Sequence, residues 1–127
     1  MIDKARQNFR DLPNFHFIVA NSESVPLNDS QLDIIICTNS FHHYFHPINA
    51  LGEMRRLLRP GGKLYILDPT ADTLFVKFLG RVMHIFESSA VKLYSTEEFQ
   101  ELFLMSNLKY LRTEALNRHE KVHIGEK

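Results

Sequence analysis

The stretch Arg59-Pro60-Gly61-Gly62-Lys63-Leu64-Tyr65-Ile66-Leu67-Asp68 decides the fold class of this chain. Its proline and glycines end a helix that the apolar spacing predicts over residues 47–58, and Lys63–Asp68 then has the composition of a strand. Before that helix, Leu32–Cys37 holds consecutive isoleucines, which is typical of a parallel strand covered on both faces. A helix between two apolar strands predicts a right-handed βαβ unit. We interpret the two strands as the fourth and fifth of a nucleotide-type α/β fold.

The segments on either side of this unit predict further elements. In chain order these are a helix over residues 2–10, a strand at Phe15–Ala20, a helix from Asp72 through Phe86, a helix from Ser95 to about Ser106, and strands at 109–116 and 121–125. The late helix starts with a capping box, because Ser95 can accept from the Glu98 amide while the Glu98 side chain reaches back. The last two strands are expected to form an antiparallel hairpin that closes one edge of the sheet.

Composition limits the possible partners and the compartment. The chain has 127 residues with 15 basic and 15 acidic side chains, so we expect one domain and no field that attracts nucleic acid. Cys37 is the only cysteine, which excludes an intrachain disulfide, and its apolar surroundings favour a buried inert thiol over a nucleophile. The charged, amphipathic first residues are not typical of a signal peptide, and no apolar run approaches the roughly 20 residues of a membrane span. The expected location is cytoplasmic.

Four segments resemble, in order and spacing, motifs of the class I S-adenosylmethionine-dependent methyltransferases, particularly the ubiquinone/menaquinone biosynthesis-type subgroup. They are Ala20–Leu27 after the third strand, Leu32–His43 at the fourth strand and its loop, Arg56–Gly62 before the fifth strand, and Tyr94–Phe99 at a late helix start. The resemblance implies an α/β, Rossmann-like methyltransferase fold that is N-terminally incomplete, with strands 3 to 7 and the C-terminal antiparallel hairpin. It implies a single partial methyltransferase domain over residues 1–127 and S-adenosylmethionine as cofactor. A dinucleotide-dependent oxidoreductase fits the third- and fourth-strand motifs less well.

The resemblance also implies cofactor-binding residues in two loops at the carboxyl ends of strands, where ligands of open parallel sheets bind. The Asn21 side chain would meet the adenine amino group and the Ser22 amide an adenine ring nitrogen, with Glu23 in the same loop. Asn39 and Ser40 would line the methionine end of the cofactor. The family usually has aspartate where this chain has Asn21. Asparagine still accepts through its oxygen, but the lost charge assistance costs about 1 kcal/mol.

Two parts of the family's cofactor site have no counterpart in this sequence: the Gly-rich turn after the first strand and the ribose-binding acid of the second. We therefore expect a half-site with mostly adenine contacts, and impaired cofactor binding by this chain alone. The first hypothesis for function is methyl transfer to a small-molecule acceptor, for which an apolar molecule such as a quinone or lipid is one option. The alternative is a non-catalytic truncated fragment, or an interaction module that pairs through an exposed strand edge.

That edge belongs to the strand at residues 32–37, which the resemblance leaves without its usual neighbour. An apolar strand edge is a template for pairing with another strand. Three outcomes stay open. Phe15–Ala20 closes up beside this strand, a second copy pairs with it in a homodimer, or the natural protein is longer than this sequence.

His42, His43 and His46 lie in the loop after the fourth strand. Adjacent histidines in a loop point in different directions and no carboxylate lies at ligand spacing, so no metal site is predicted. His42 or His43 is instead a candidate catalytic base, because an imidazole that titrates near neutral pH suits proton removal from an acceptor. The other interpretation is that these histidines shape the loop.

Four further features have both a functional and a structural interpretation. Asp68 has a substrate or orientation role, or forms a turn. Tyr94 contacts the acceptor, or is a packed aromatic residue. The helix at Leu74–Phe86 covers the substrate, or packs in the core. The arginines at the end of the helix over 47–58, Arg56 among them, are interpreted as solvated surface that interacts with the helix dipole.

Overall fold

The computed structural model describes residues 2–9, 14–72 and 92–127. Its elements are α1 (Ile2–Asn8), β1 (Leu32–Thr38), a short 3-10 helix (Phe41–His43), α2 (Pro47–Leu57), β2 (Leu58–Pro69), α3 (Thr96–Met105), β3 (Lys109–Ala115) and β4 (Glu120–Glu126). The helix predicted over 72–86 lies outside the described residues from position 73 onward. The predicted helices at the start of the chain, before β2 and after Ser95 are confirmed.

Within the described residues, the strands form one mixed sheet in the order β1-β2-β4-β3. β1 and β2 pair in parallel on either side of α2 in the chain, which confirms the predicted βαβ unit. β4 runs antiparallel to both β2 and β3, which confirms the predicted hairpin and inserts its second strand next to β2. The carboxyl ends of β1 and β2 therefore lie side by side at one edge of the sheet.

The first part of β2, where its register against β1 shifts, contains two glycines with special roles. Gly61 has a φ of 76°, a left-handed conformation that glycine adopts without strain. A Cβ at Gly62 would lie 2.9 Å from the Arg59 carbonyl oxygen and 3.1 Å from the Asp33 carbonyl oxygen. Only a residue without a side chain allows β2 to pass this close to the backbone of β1.

One hydrophobic cluster joins α2, α3 and the sheet. Its buried members are Cys37, Phe41, Leu51, Met54, Leu58, Leu64, Ile66, Tyr94, Phe99, Leu102, Phe103 and Leu108. Phe99 lies among its aromatic side chains, with ring centroids 5.4 Å from Phe41, 5.5 Å from Tyr94 and 6.5 Å from Phe103. The predicted buried thiol of Cys37 is confirmed as part of this core.

His123 is a buried polar side chain next to this hydrophobic cluster. Its ring stacks on Phe99 at a centroid distance of 3.8 Å, and its Nδ1 lies 2.7 Å from the Thr113 hydroxyl. The other ring nitrogen, Nε2, has no hydrogen-bond partner in the part of the chain that the structure describes. Burial lowers the pKa of His123 to about 4, so the ring is neutral at neutral pH.

The start of α3 is held by two sets of hydrogen bonds. The predicted capping box is confirmed: the Glu98 amide donates to Ser95 Oγ at 3.3 Å, and the Ser95 amide donates to Glu98 Oε2 at 2.8 Å. Asp72 accepts from the Thr96 amide at 2.8 Å and pairs with Lys121 of β4. Burial alone would raise the pKa of Asp72, but the hydrogen bonds from Lys121 and Thr96 hold it well below its usual range. These contacts fix α3 against the sheet.

The prediction of a strand at Phe15–Ala20 is wrong, because this segment has no regular secondary structure. Its Phe15 and Phe17 rings instead stack with Phe9, at centroid distances of 5.4 and 6.4 Å. A strand needs a neighbour to satisfy its backbone groups, and no strand among residues 14–72 and 92–127 pairs with this segment. Of the predicted strands 3 to 7, the structure therefore contains strands 4 to 7.

Among residues 2–9, 14–72 and 92–127, no strand pairs with the outer edge of β1. Ile34 is 54% exposed and Ile36 is 70% exposed, although both lie in an apolar strand. Of the three outcomes left open by the sequence, the one in which Phe15–Ala20 closes up beside β1 is therefore wrong. Pairing of this edge with a second chain stays a prediction.

Candidate cofactor and acceptor site

The candidate site lies where β1 and β2 end. The loop over residues 38–46 follows β1, and Asp68 stands near the end of β2. A second loop, at residues 21–24, is tied to the first because His46 Nδ1 lies 3.0 Å from Glu23 Oε1. The two loops that the resemblance assigns to the cofactor are thus linked at the edge where ligands of parallel sheets bind.

His42 and Asp68 form the most buried polar contact of this site. The Asp68 side chain is 1% exposed and the His42 side chain 12% exposed. One carboxylate oxygen accepts the His42 backbone N–H at 2.8 Å, and the other lies 3.0 Å from His42 Nδ1. A carboxylate can only accept, so it selects the tautomer with the proton on Nδ1 and leaves the Nε2 lone pair free to take a proton. This favours the orientation role of Asp68 over a plain turn.

Asn39 and Ser40 start the loop after β1. Asn39 adopts a φ of 48°, which asparagine tolerates better than most residues, and its amide donates to the Leu67 carbonyl at 2.8 Å. The Asn39 side chain is exposed and has no hydrogen-bond partner among the described residues. The Ser40 hydroxyl lies 3.2 Å from Cys37 Sγ. Asn39 is thus available to a ligand, while Ser40 is engaged with the end of β1.

Asn21, Ser22 and Glu23 form a tight turn. Asn21 Oδ1 accepts the Glu23 amide at 3.0 Å, and the Asn21 carbonyl accepts the Ser24 amide at 3.0 Å. The Ser22 amide has no acceptor within the described residues. Glu23 also accepts from the Asn49 side chain, and the hydrogen bonds from Asn49 and His46 lower the pKa of Glu23. The turn therefore presents one side-chain oxygen and one free amide next to a fixed carboxylate.

The remaining candidate residues have clear positions. His43 is exposed, and its ring centroid lies 4.0 Å from that of His42. Tyr94 is 4% exposed and packs on Phe41, so its interpretation as a packed aromatic residue is confirmed. Within the described residues, no group of His, Cys, Asp or Glu side chains is arranged to hold a metal ion. In the same residues, no helix is long and apolar enough to cross a membrane.

The interpretation of Arg56 as solvated surface is wrong. Its side chain is only 32% exposed, and the guanidinium donates to the carbonyls of Val25 at 3.1 Å and Leu27 at 3.0 Å. Guanidinium groups satisfy several acceptors at once because their N–H groups form a rigid fork. Position near the end of α2 suggested a dipole role, whereas the acceptors come from a loop more than two dozen residues earlier.

Comparison with known sequences shows the class of protein to which this chain belongs. A family model described as a methyltransferase domain matches residues 1–66, and the chain belongs to that family. It is 28% identical over 103 residues to the uncharacterized methyltransferase YcgJ of Bacillus subtilis, covering 80% of this chain and 41% of the relative. It is 33% identical over 78 residues to the ubiquinone/menaquinone biosynthesis C-methyltransferase UbiE of Blochmanniella floridana, covering 59% and 31% respectively. The predicted membership in the S-adenosylmethionine-dependent methyltransferases is confirmed.

Solved structures confirm the fold class. The crystal structure of YcgJ from Bacillus subtilis superposes with a TM-score of 0.80 at 19% identity, covering 100% of this chain and 78% of that one. A methyltransferase dependent on S-adenosylmethionine from Aquifex aeolicus gives a TM-score of 0.77 at 17% identity, covering 98% and 62%. The chain spans between 23% and 49% of the length of the first curated relatives that it matches.

Proposed function

We propose that this chain is a single partial methyltransferase domain, over residues 1–127, of a cytoplasmic enzyme that transfers a methyl group from S-adenosylmethionine to a small acceptor. The observation that carries the proposal is that the His42–Asp68 pair and the two cofactor loops meet at the carboxyl ends of β1 and β2. An apolar acceptor is one option within this proposal.

The residues at this edge fit an adenosyl cofactor. The exposed turn at Asn21 has an oxygen with one lone pair left after accepting the Glu23 amide, and the Ser22 amide is free among the described residues. An acceptor and a donor side by side match the amino group and the adjacent ring nitrogen of adenine. Asn39 offers a further free side chain at the end of β1. We propose Asn21, Ser22, Glu23, Asn39 and Ser40 as the cofactor-binding set.

The chain's own chemical contribution is a base that accepts a proton from the methyl acceptor and a carboxylate that orients this base. When bound, the cofactor supplies a methyl group on an activated sulfonium. A neutral acceptor that gains this methyl releases a proton as the sulfonium becomes a thioether, and we propose that His42 Nε2 takes this proton. Asp68 orients the ring and stabilises the imidazolium that results. His43 is the second candidate for the base, but no carboxylate among the described residues is paired with its ring.

Calorimetry with S-adenosylhomocysteine tests the proposal. We expect the 127-residue chain to bind with a Kd weaker than about 100 μM, since the missing contacts are worth about 1 kcal/mol each. Asn21→Asp should bind about fivefold more tightly, because a carboxylate adds charge assistance to the adenine amino group while it still accepts the Glu23 amide.

The matched control is Asn28→Asp, an exposed asparagine of the same loop whose side chain has no partner among the described residues. It should leave the affinity unchanged. Absence of any binding would contradict the proposed function, and micromolar binding would contradict the half-site. An equal gain from both variants would show that net charge, rather than adenine recognition at Asn21, sets the affinity.

The exposed edge of β1 favours pairing as a second candidate function. We propose that two copies pair through residues 32–37, because Ile34 and Ile36 lie exposed on a strand whose outer edge pairs with no strand in the described part of the chain. Light scattering after size exclusion should give a dimer for the wild type and a monomer for Ile36→Lys. Leu104→Lys, at a residue of α3 that is 76% exposed, is the control and should stay dimeric. A monomeric wild type would contradict this pairing.

A further inference from the structure

Four polar side chains form one stripe along α2. His46 precedes the helix, and Asn49, Glu53 and Arg56 follow at spacings of three, four and three residues. Residues three and four apart lie on the same face of a helix. All four side chains bond to the loop over residues 21–31, so this stripe is the surface on which the loop rests.

At the N-terminal end of the stripe, His46 and Asn49 contact the turn that contains Asn21. Glu23 Oε1 lies 3.0 Å from His46 Nδ1, and Glu23 Oε2 accepts the Asn49 side-chain amide at 3.1 Å. Both contacts are near the surface, where individual ion pairs contribute little. These contacts alone therefore leave the loop weakly held.

At the C-terminal end of the stripe, Glu53 and Arg56 make more hydrogen bonds to the loop than His46 and Asn49 do. Glu53 Oε1 accepts the Val25 amide at 2.7 Å, and Glu53 Oε2 accepts Arg56 Nε at 2.7 Å. Arg56 in turn donates to the Val25 and Leu27 carbonyls and to Asp29. The Arg56 hydrogen bond, followed by that of the Val25 amide, lowers the pKa of Glu53 to about 2, which keeps it a carboxylate.

The far end of the loop has two other contacts: the Ser30 amide donates to the Arg56 carbonyl at 2.9 Å, and Lys127 Nζ donates to Ser30 Oγ at 3.2 Å. Every side chain from position 21 to 31 is exposed or half-buried, so no core residue anchors it. Its conformation depends on hydrogen bonds to its backbone, and the side chains that make such bonds from outside the loop are, among the described residues, those of Glu53 and Arg56. Four residues after Asn21, the Val25 N–H donates to Glu53 and the Val25 carbonyl accepts from Arg56.

We infer that Glu53 and Arg56 are positioning residues for the loop over residues 21–31. They hold Val25 and Leu27 so that Asn21 and Ser22 meet the adenine of the cofactor. The inference rests on the proposed function. Both side chains bond to the backbone of the loop, so they would act through it and not as ligands of the cofactor. The effect should therefore appear in cofactor affinity, with the rest of the fold unchanged.

An NMR titration with S-adenosylhomocysteine tests this inference, together with amide exchange of the free chain. In Arg56→Ala the Val25 amide should exchange faster, and the Kd should rise about tenfold. Arg56→Lys should restore little of the affinity, because one ammonium cannot replace the fork on two carbonyls. Glu53→Gln should lose less than Glu53→Ala, since an amide oxygen still accepts the Val25 N–H.

Arg59→Ala is the matched control, because Arg59 pairs with Asp33 on the surface and both side chains are 62% exposed. It should leave exchange and affinity at wild-type values. Equal affinity of Arg56→Ala and the wild type would overturn the inference while leaving the proposed function intact. Unchanged exchange at Val25 would overturn it even without ligand. A wild type that does not bind would instead overturn the proposed function, and with it the role of the loop.

Discussion

Phe99→Ala should lower the free energy of unfolding by about 3–5 kcal/mol. Phe99 is 0% exposed, and its ring meets those of Phe41, Tyr94, Phe103 and His123. Truncation would leave a cavity where α3 meets the sheet. Because small domains have a total stability of about 5–15 kcal/mol, the loss is a large fraction of the whole.

Urea unfolding at neutral pH measures this change. Leu104→Ala, on the same helix but 76% exposed, is the control and should change stability by less than about 0.5 kcal/mol. A second readout is the pKa of His123, which burial lowers to about 4 in the wild type. Water that enters beside the ring in Phe99→Ala should raise this pKa toward its ordinary value of 6.5. Equal costs for the two variants, with an unchanged His123 pKa, would contradict the assignment of Phe99 to the core.

The sign of the His123 contribution follows from its depressed pKa. The unfolded ring gains a proton near pH 6.5, whereas the folded ring gains it only at about 4. The folded state is therefore favoured above pH 6.5, and that advantage is lost as the pH falls from 6.5 toward 4. A variant with an open core should lose less stability in this window, since its folded ring accepts a proton more easily.

The elements that sequence predicted well depend on local chemistry. α2 ends at Leu57, two residues before Arg59, whose helical conformation Pro60 disfavours, and Ser95 with Glu98 caps α3 within one turn. The hairpin of β3 and β4 joins segments that are close in the chain. In each case the residues that determine the structure lie within a few positions of one another, so spacing alone is informative.

The elements that sequence missed depend on distant partners. Phe15–Ala20 has the composition of a strand, but a strand forms only beside another, and its composition carries no information on whether a neighbour is present. Arg56 acts on a loop that lies more than two dozen residues away. The spacing of His46, Asn49, Glu53 and Arg56 places four polar side chains on one helix face, but a solvated helix face has the same pattern, so the spacing alone did not reveal the loop that rests on it.

The candidate site was predicted in part for a related reason. The loops containing Asn21 and Asn39 follow from the resemblance, but the pairing of His42 with Asp68 does not. These two residues are 26 positions apart and meet because parallel neighbours end at the same edge. Once the pairing of the strands is known, a histidine after one strand and an aspartate at the end of its neighbour indicate that the two side chains meet.

Asp68→Asn should lower the rate of methyl transfer by about 10²–10⁴-fold. The carboxylate of Asp68 accepts both the His42 backbone N–H and Nδ1–H, which keeps the lone pair on Nε2. Asparagine has one oxygen and an NH₂ group. If the oxygen keeps the backbone N–H, the NH₂ faces Nδ1 and favours the opposite tautomer, whose Nε2 already carries a proton. The variant also lacks the charge that stabilises the imidazolium.

Two measurements separate this effect from a loss of structure. Nitrogen NMR of the His42 ring should report the change of tautomer directly, and transfer of labelled methyl from S-adenosylmethionine to a panel of apolar acceptors gives the rate. Asp33→Asn is the matched control, because Asp33 is a surface aspartate paired with Arg59. A switched tautomer with an unchanged rate would rule out His42 as the base and favour His43, while an unswitched tautomer would rule out the orienting role of Asp68. A slow variant whose tautomer has switched and whose fold is intact would place the proton transfer on His42, because the substitution then alters little besides the protonation of its ring.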